Sequence, residues 1–229
     1  MLAALGRAVR DKPKGFEDVS TAENYGSVLA ALHTTRSMRR LTTREIPDDV
    51  LRQILDAAIR APSGSNQQTW SFIVVRDANV KRELQRIYAG VAERYFASAP
   101  QTISDGSGQQ TMTRVRSSAR HLAENLHLAP VIVVACIRGD RTFGLGASIY
   151  PAVQNLMVAA RALGVGSTLT TFHLAHEAEV KALLKLPDEF HTAALIPLGY
   201  PTGRWGEAQR RPVEEVVFQD AYGDRYWND

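Results

Sequence analysis

Three short segments carry side chains able to hold an anionic, heteroaromatic ligand. The first is Arg36-Ser37-Met38-Arg39, two guanidinium groups and a hydroxyl in four residues. Such groups grip phosphate or polyol oxygens through charge-assisted hydrogen bonds. The second is Ala61-Pro62-Ser63-Gly64-Ser65-Asn66-Gln67-Gln68-Thr69-Trp70. Proline and glycine shape a tight backbone there, and Ser, Asn and Gln offer donors and acceptors to a ring edge. The third is Gly199-Tyr200-Pro201 followed by Arg210-Arg211-Pro212, where paired arginines suit an anionic end group. Read singly, the first is a solvated basic turn, the second an ordinary helix-to-strand loop and the third a surface turn and tail.

Other chemistries find no support. Gly144-Leu145-Gly146 and Gly164-Val165-Gly166 lack the third glycine of a dinucleotide fingerprint, and no phosphate-cradling P-loop is present. His173 and His176 stand near Glu177 without zinc-protease spacing, so they read as surface or capping histidines. Ser63-Gly64-Ser65 lacks the glycine pattern of a nucleophile elbow. The single cysteine, Cys136, sits in the apolar run Val131–Ile137 and reads as a buried structural thiol. One cysteine allows no internal disulfide, which fits a reducing compartment.

The elements that must position these segments follow from periodicity. Val50, Leu51, Ile54, Leu55, Ala58 and Ile59 form one helical face behind Asp48 and Asp49, and the helix breaks at Pro62. A short helix is expected from Tyr25 to His33, and others over residues 79–96 and 114–129. Between the last two lies a polar loop, Gln101–Gln110, a candidate flap near a site. Further helices are expected over Gly146–Leu163 and Glu177–Leu186. Trp70–Val75, Val131–Ile137 and Ala193–Leu198 read as strands, and Ser167–Thr171 as an extended segment. Strands and helices alternate, so the class is α/β or α+β.

Composition sets the outer limits. The 229 residues are 45% apolar and 22% charged, which suits one well-buried core. A net charge of +3, from 27 basic and 24 acidic residues, makes no case for nucleic acid. No apolar run reaches membrane-span length, and the N-terminal apolar stretch is too short for a signal peptide. The expectation is a soluble, cytoplasmic protein.

Taken together and in order, the segments resemble the nitroreductase family of FMN proteins. That family opens on an Arg-Arg-Ser-x-Arg-like motif, continues with an Ala-Pro-Ser-x-x-Asn-x-Gln-Pro-Trp loop, and ends on Gly-Tyr-Pro and Arg-Arg-Pro. Between them this chain carries Gln154-Asn155-Leu156 and Ala160-Arg161-Ala162-Leu163-Gly164-Val165-Gly166, which also match. The resemblance covers about residues 27 to 220. Two positions depart from it: Thr35 replaces the first arginine, and Thr69 the proline before the tryptophan.

The resemblance implies an α+β, three-layer sandwich with a mixed, mostly antiparallel sheet flanked by helices. It implies residues 1–24 as an N-terminal arm, 25–220 as the FMN-binding domain and 221–229 as a C-terminal tail. It implies tightly bound FMN, with NAD(P)H as transient reductant, in a homodimer with FMN at the interface. Arg36, Ser37 and Arg39 would contact the phosphate and ribityl chain, and Arg210, rivalled by Arg211, would close on the phosphate. Pro62, Ser63, Gly64, Ser65 and Asn66 would reach the flavin from the other subunit. Leu169, Thr170 and Thr171 would pass beside the ring. The implied activity is ping-pong transfer of electrons from NAD(P)H to a small-molecule acceptor such as a nitroaromatic or quinone, with no catalytic side chain. The alternatives are a flavin-storing protein without turnover and a flavin-consuming or dehalogenating relative. The tail, with Tyr222, Tyr226 and Trp227, is expected to wrap the partner.

Overall fold

The computed structural model describes residues 22–98, 109–139 and 143–227. Most of the N-terminal arm and most of the Gln101–Gln110 loop lie outside the described residues. Helix α1 (Ala22–Thr34) leads into the extended segment of the opening arginines. Helix α2 (Asp48–Ala58) buries Leu51, Ile54 and Ala58, the expected face, behind its two N-terminal aspartates. Strand β1 (Trp70–Val75) follows the Pro62–Thr69 loop.

Helix α3 (Ala78–Ser98) starts where Asp77 Oδ1 accepts from the N–H groups of Asn79 and Val80, a side-chain cap. It buries Leu84, Ile87, Tyr88 and Ala92 along one stripe. Helix α4 (Gln109–Asn125) begins earlier than its expected start and ends in a 3-10 turn over Leu126–Leu128. Strand β2 (Val131–Arg138), helix α5 (Phe143–Ala162) and the two-residue strand β3 (Gly166–Ser167) come next. Helix α6 (Glu177–Leu184) stops two residues short of expectation because Lys185 takes a left-handed conformation, φ 53°. Strand β4 (Phe190–Gly199) completes the sheet.

The strand order is β1-β2-β4-β3, and each of these pairings is antiparallel. Strand β2 is apolar on both sides because both of its faces are covered. Val131, Val133, Ala135 and Ile137 face the layer of α2 and α5. Ile132, Val134 and Cys136 face α3, α4 and α6. That is the expected three-layer α+β sandwich. Strand β4 matches the alternation through a bulge: Ala135 pairs with Ala194 but Cys136 with Thr192, which leaves Ala193 as the extra residue. Ala193 and Ala194 therefore both belong to the α2–α5 core.

The extended Ser167–Thr171 segment is less regular than its sequence suggests. It leaves β4 after Ser167 and returns for one bridge, Thr170 to Leu195. Residues Phe218 and Arg225 form a bridge of their own, and Tyr222 packs on Phe218 while remaining 93% exposed.

Candidate functional site

The opening arginines are held by the sheet edge. Met38 N–H donates to Ser167 O at 2.9 Å. Thr42 N–H donates to Tyr200 O at 2.8 Å, and Thr202 N–H to Arg40 O at 3.0 Å. Residues 38–42 thus run alongside β3 and the chain leaving β4, with one isolated bridge from Leu41 to Pro201. Two glycines permit that approach. A Cβ on Gly166 would stand 3.0 Å from Met38 Cβ, and one on Gly199 would stand 3.0 Å from Leu41 Cβ.

Arg39 and Thr170 are brought together around a residue that no motif marks. Tyr88 lies buried on α3, and its phenol senses both the Thr170 side chain and the Arg39 charge. Burial pushes the Tyr88 hydroxyl above the usual tyrosine range, partly offset by Thr170 and by Arg39. Burial also lowers the Arg39 pKa, against a smaller opposing effect of Tyr88. Arg39 is half-buried and has no acidic partner among the described residues. Thr170 is pinned from both sides, donating to Leu195 O at 3.0 Å and accepting from Leu195 N at 2.9 Å. Its side chain is buried, so the exposed Thr171 and the half-buried Leu169 are the side chains that flank this fixed point. Thr168, 1% exposed, carries a hydroxyl with no hydrogen-bond partner.

Arg36 and Ser37 are exposed, and Arg36 Nη2 donates to Arg204 O at 2.7 Å. The chain after β4 is clasped against α1 at this place. Arg161 stacks over the Trp205 ring at 4.3 Å and donates to Thr34 Oγ1 at 2.8 Å. Ala208 N–H donates to His33 O at 2.9 Å. Arg210 follows two residues later, exposed, with its guanidinium on the Gln209 carbonyl; Arg211 is exposed as well. Neither is bonded to Arg36 or Arg39.

The Pro62–Asn66 loop lies elsewhere. Ser65, Asn66 and Gln68 all take positive φ, near 50°, a costly state for residues with a Cβ. Ser63 Oγ accepts from Gln68 N–H at 3.0 Å, and Gly64 N–H donates to Ser148 Oγ on α5 at 3.2 Å. The loop feeds Trp70 into the sheet opposite Ile137, whose β4 partner is His191. Met38 sits at Ser167, opposite Leu198. The stretch of β4 between those two partners spans roughly 20 Å. Within one chain the loop and the arginine segment therefore stand at opposite ends of the sheet.

The two histidines, His173 and His176, have different surroundings. His173 is fully buried, which corrects the surface assignment; the 3-10 turn Phe172–His176 rolls it under β4. His176 is half-buried, with Nδ1 2.9 Å from Glu179 and Nε2 3.0 Å from Arg94. Among the described residues no cluster could hold a metal ion, and no helix is long and apolar enough to cross a membrane. Cys136 is buried, and its thiol is pushed up to about 12 by burial and then by the charge of Glu177. Tyr88 and Ser148, both central to this geometry, carried no sequence signal, because each reads as one more position on a helix.

Comparison with known proteins places the chain in a family. It belongs to the nitroreductase family, whose model matches residues 32–200. An NADH dehydrogenase of Thermus thermophilus is 29% identical over 197 residues, which span 80% of this chain and 90% of that protein. The crystal structure of oxidized iodotyrosine deiodinase bound to FMN and 3-iodo-L-tyrosine superimposes with a TM-score of 0.70 at 22% identity, covering 85% of this chain and 98% of that one. A nitroreductase with bound FMN from Desulfitobacterium hafniense gives 0.66 at 19%, covering 85% and 98%. Both structures share this fold.

Proposed function

We propose that the chain is an FMN-dependent oxidoreductase that passes electrons from NAD(P)H to a small organic acceptor, a nitroaromatic or quinone. The observation that carries the reading is Arg39. It is a half-buried cation without an acidic partner among the described residues, fixed beside Thr170 at the sheet edge of a nitroreductase-family fold. An anion on that edge would satisfy it. Arg36, Ser37 and Arg39 would hold the phosphate and polyol side, and Leu169, Thr170 and Thr171 would border the ring. Arg210 would close over the phosphate from the chain that follows the Trp205 clasp. Bound FMN supplies the hydride and electron chemistry, so the protein's task is to bind, orient and exclude water.

The Pro62–Asn66 loop of the same chain stands too far along the sheet to join this group. A homodimer in which the partner contributes that loop completes the site. The twisted backbone of the loop fits such a role, since strained segments collect at ligand contacts. The domain limits of 25–220, with terminal arms that embrace the partner, and a cytoplasmic setting belong to this proposal.

The test is spectroscopic. Purified protein is titrated with NADH and with NADPH without oxygen, and then with a nitroaromatic. Bleaching of a flavin spectrum and its recovery are expected. A bound flavin that never bleaches supports storage instead, and protein that takes up no FMN removes the reading. The likeness to the deiodinase supports a second reading, reductive removal of halide from a halogenated aromatic. Release of iodide from an iodophenol by the reduced protein distinguishes it.

A further inference from the structure

A cleft of about 320 Å³ opens beside the arginine segment. Arg39, Arg40, Leu41 and Thr202 form one wall. His121, Leu122, Asn125, Leu128 and Ala129, from α4 and the turn after it, form the other. Its size is at the small end of ligand pockets. Four apolar side chains make the floor and rim, and three cationic or ionisable nitrogen groups stand over them. Among the described residues no carboxylate lines it.

The positive groups are poorly compensated. Arg40 Nη2 has one long contact, 3.5 Å to Ser117 Oγ. His121 is held below the usual histidine range by burial and then by the charge of Arg40, with Glu124 opposing more weakly. Asn125 is committed, its amide donating to His121 O at 2.9 Å, so it anchors the wall. The Arg40 charge bears on His121 across this apolar cleft, and an anion between the two offsets it.

We propose that this cleft recognises a small organic anion, a phosphate or carboxylate carried on an apolar or aromatic body. Arg40 and His121 bind the anionic group, and Leu41, Leu122 and Leu128 cover its body. The proposal rests on the flavin reading for its purpose: the anion is then the distal group of the reductant or of the acceptor. The shared chemistry has those two sources. One is the 2′-phosphate of NADPH, and the other is the carboxylate of an aromatic acceptor.

Calorimetric titration of the FMN-loaded protein with 2′,5′-ADP and with 4-nitrobenzoate separates the two. Adenosine and nitrobenzene serve as neutral controls. One anion is expected to bind, and R40Q weakens it at least tenfold while flavin absorbance per chain stays at the wild-type value. L128E, which places a carboxylate at an exposed rim position, produces the same loss without touching Arg40. In the complex, the His121 pKa read by NMR rises. Binding of neither anion, or equal binding by wild type and both variants, overturns the proposal. Failure of the flavin reading shows separately, as protein that takes up no FMN.

Discussion

The main chain of Met38 hydrogen-bonds to Ser167, and Gly166 beside it leaves no room for a methyl group: a Cβ there would lie 3.0 Å from Met38 Cβ and 3.2 Å from Gly199 O. This contact fixes where the arginine segment sits on the sheet edge. Gly166→Ala is expected to cost about 1–3 kcal/mol as an overpacking change. Thermal unfolding reports it as a fall of several degrees. FMN affinity falls with it, because Arg39 is displaced. An unchanged melting temperature would show that the segment moves freely.

The left-handed loop makes a second prediction. Asn66 has φ 53°, and its Oδ1 accepts from Gln68 Nε2 at 3.0 Å. Asn66→Val puts a β-branched residue into that region and is expected to destabilise by about 1–2 kcal/mol. Asn66→Gly should stay within about 0.5 kcal/mol of wild type, since glycine accepts the conformation. Chemical denaturation of the two variants side by side measures the difference, and equal stabilities would remove backbone strain as the reason.

Placement of the loop and the arginines at opposite ends of the sheet leads to a mixing experiment. A chain carrying Arg36→Ala with Arg39→Ala, and a chain carrying Ser65→Tyr, should each bind little FMN. Co-refolding the two is expected to restore roughly a quarter of wild-type sites, because half of the random dimers hold one intact composite site. Recovery of nothing would place the whole site within one chain.

The thiol and the phenol in the second core layer set an alkaline limit. Cys136 is pushed up to about 12 and Tyr88 is also raised, both by burial first. For an acid whose folded pKa is raised, the unfolded chain loses the proton first as pH rises. Stability is therefore complete below about pH 9 and falls by a few kcal/mol as pH climbs towards 12. Denaturation midpoints across that window should decline, and Cys136→Ala should flatten the decline while leaving the Tyr88 part. In the native protein at pH 8 the thiol should resist alkylation until the chain is unfolded. Rapid native labelling contradicts this.

Much of the scaffold was legible because it depends on local pattern. The α2 face from Leu51 to Ala58 and the all-apolar β2 announce themselves by period and by burial on both sides. The start of β4 was not legible. Phe190, His191 and Thr192 are mixed in character and become strand only because Arg138, Ile137 and Cys136 pair with them. The arginines could be found from spacing, but their surroundings could not. Tyr88 reads as a core residue of α3, and its approach to Arg39 arises from packing between elements some 50 residues apart. Nor did spacing reveal that Arg40 enters a separate cleft, since the wall that makes it a cleft comes from α4.

The bulge at Ala193 gives β4 something like an expansion joint. On one side the strand is timed by Thr192 against Cys136, on the other by Ala194 against Ala135. A change of length in the Pro187–Glu189 turn can be taken up at the joint instead of being passed along the strand to Leu195. Since Leu195 holds Thr170 through two main-chain hydrogen bonds, the rim of the candidate site takes its timing from the register beyond the joint.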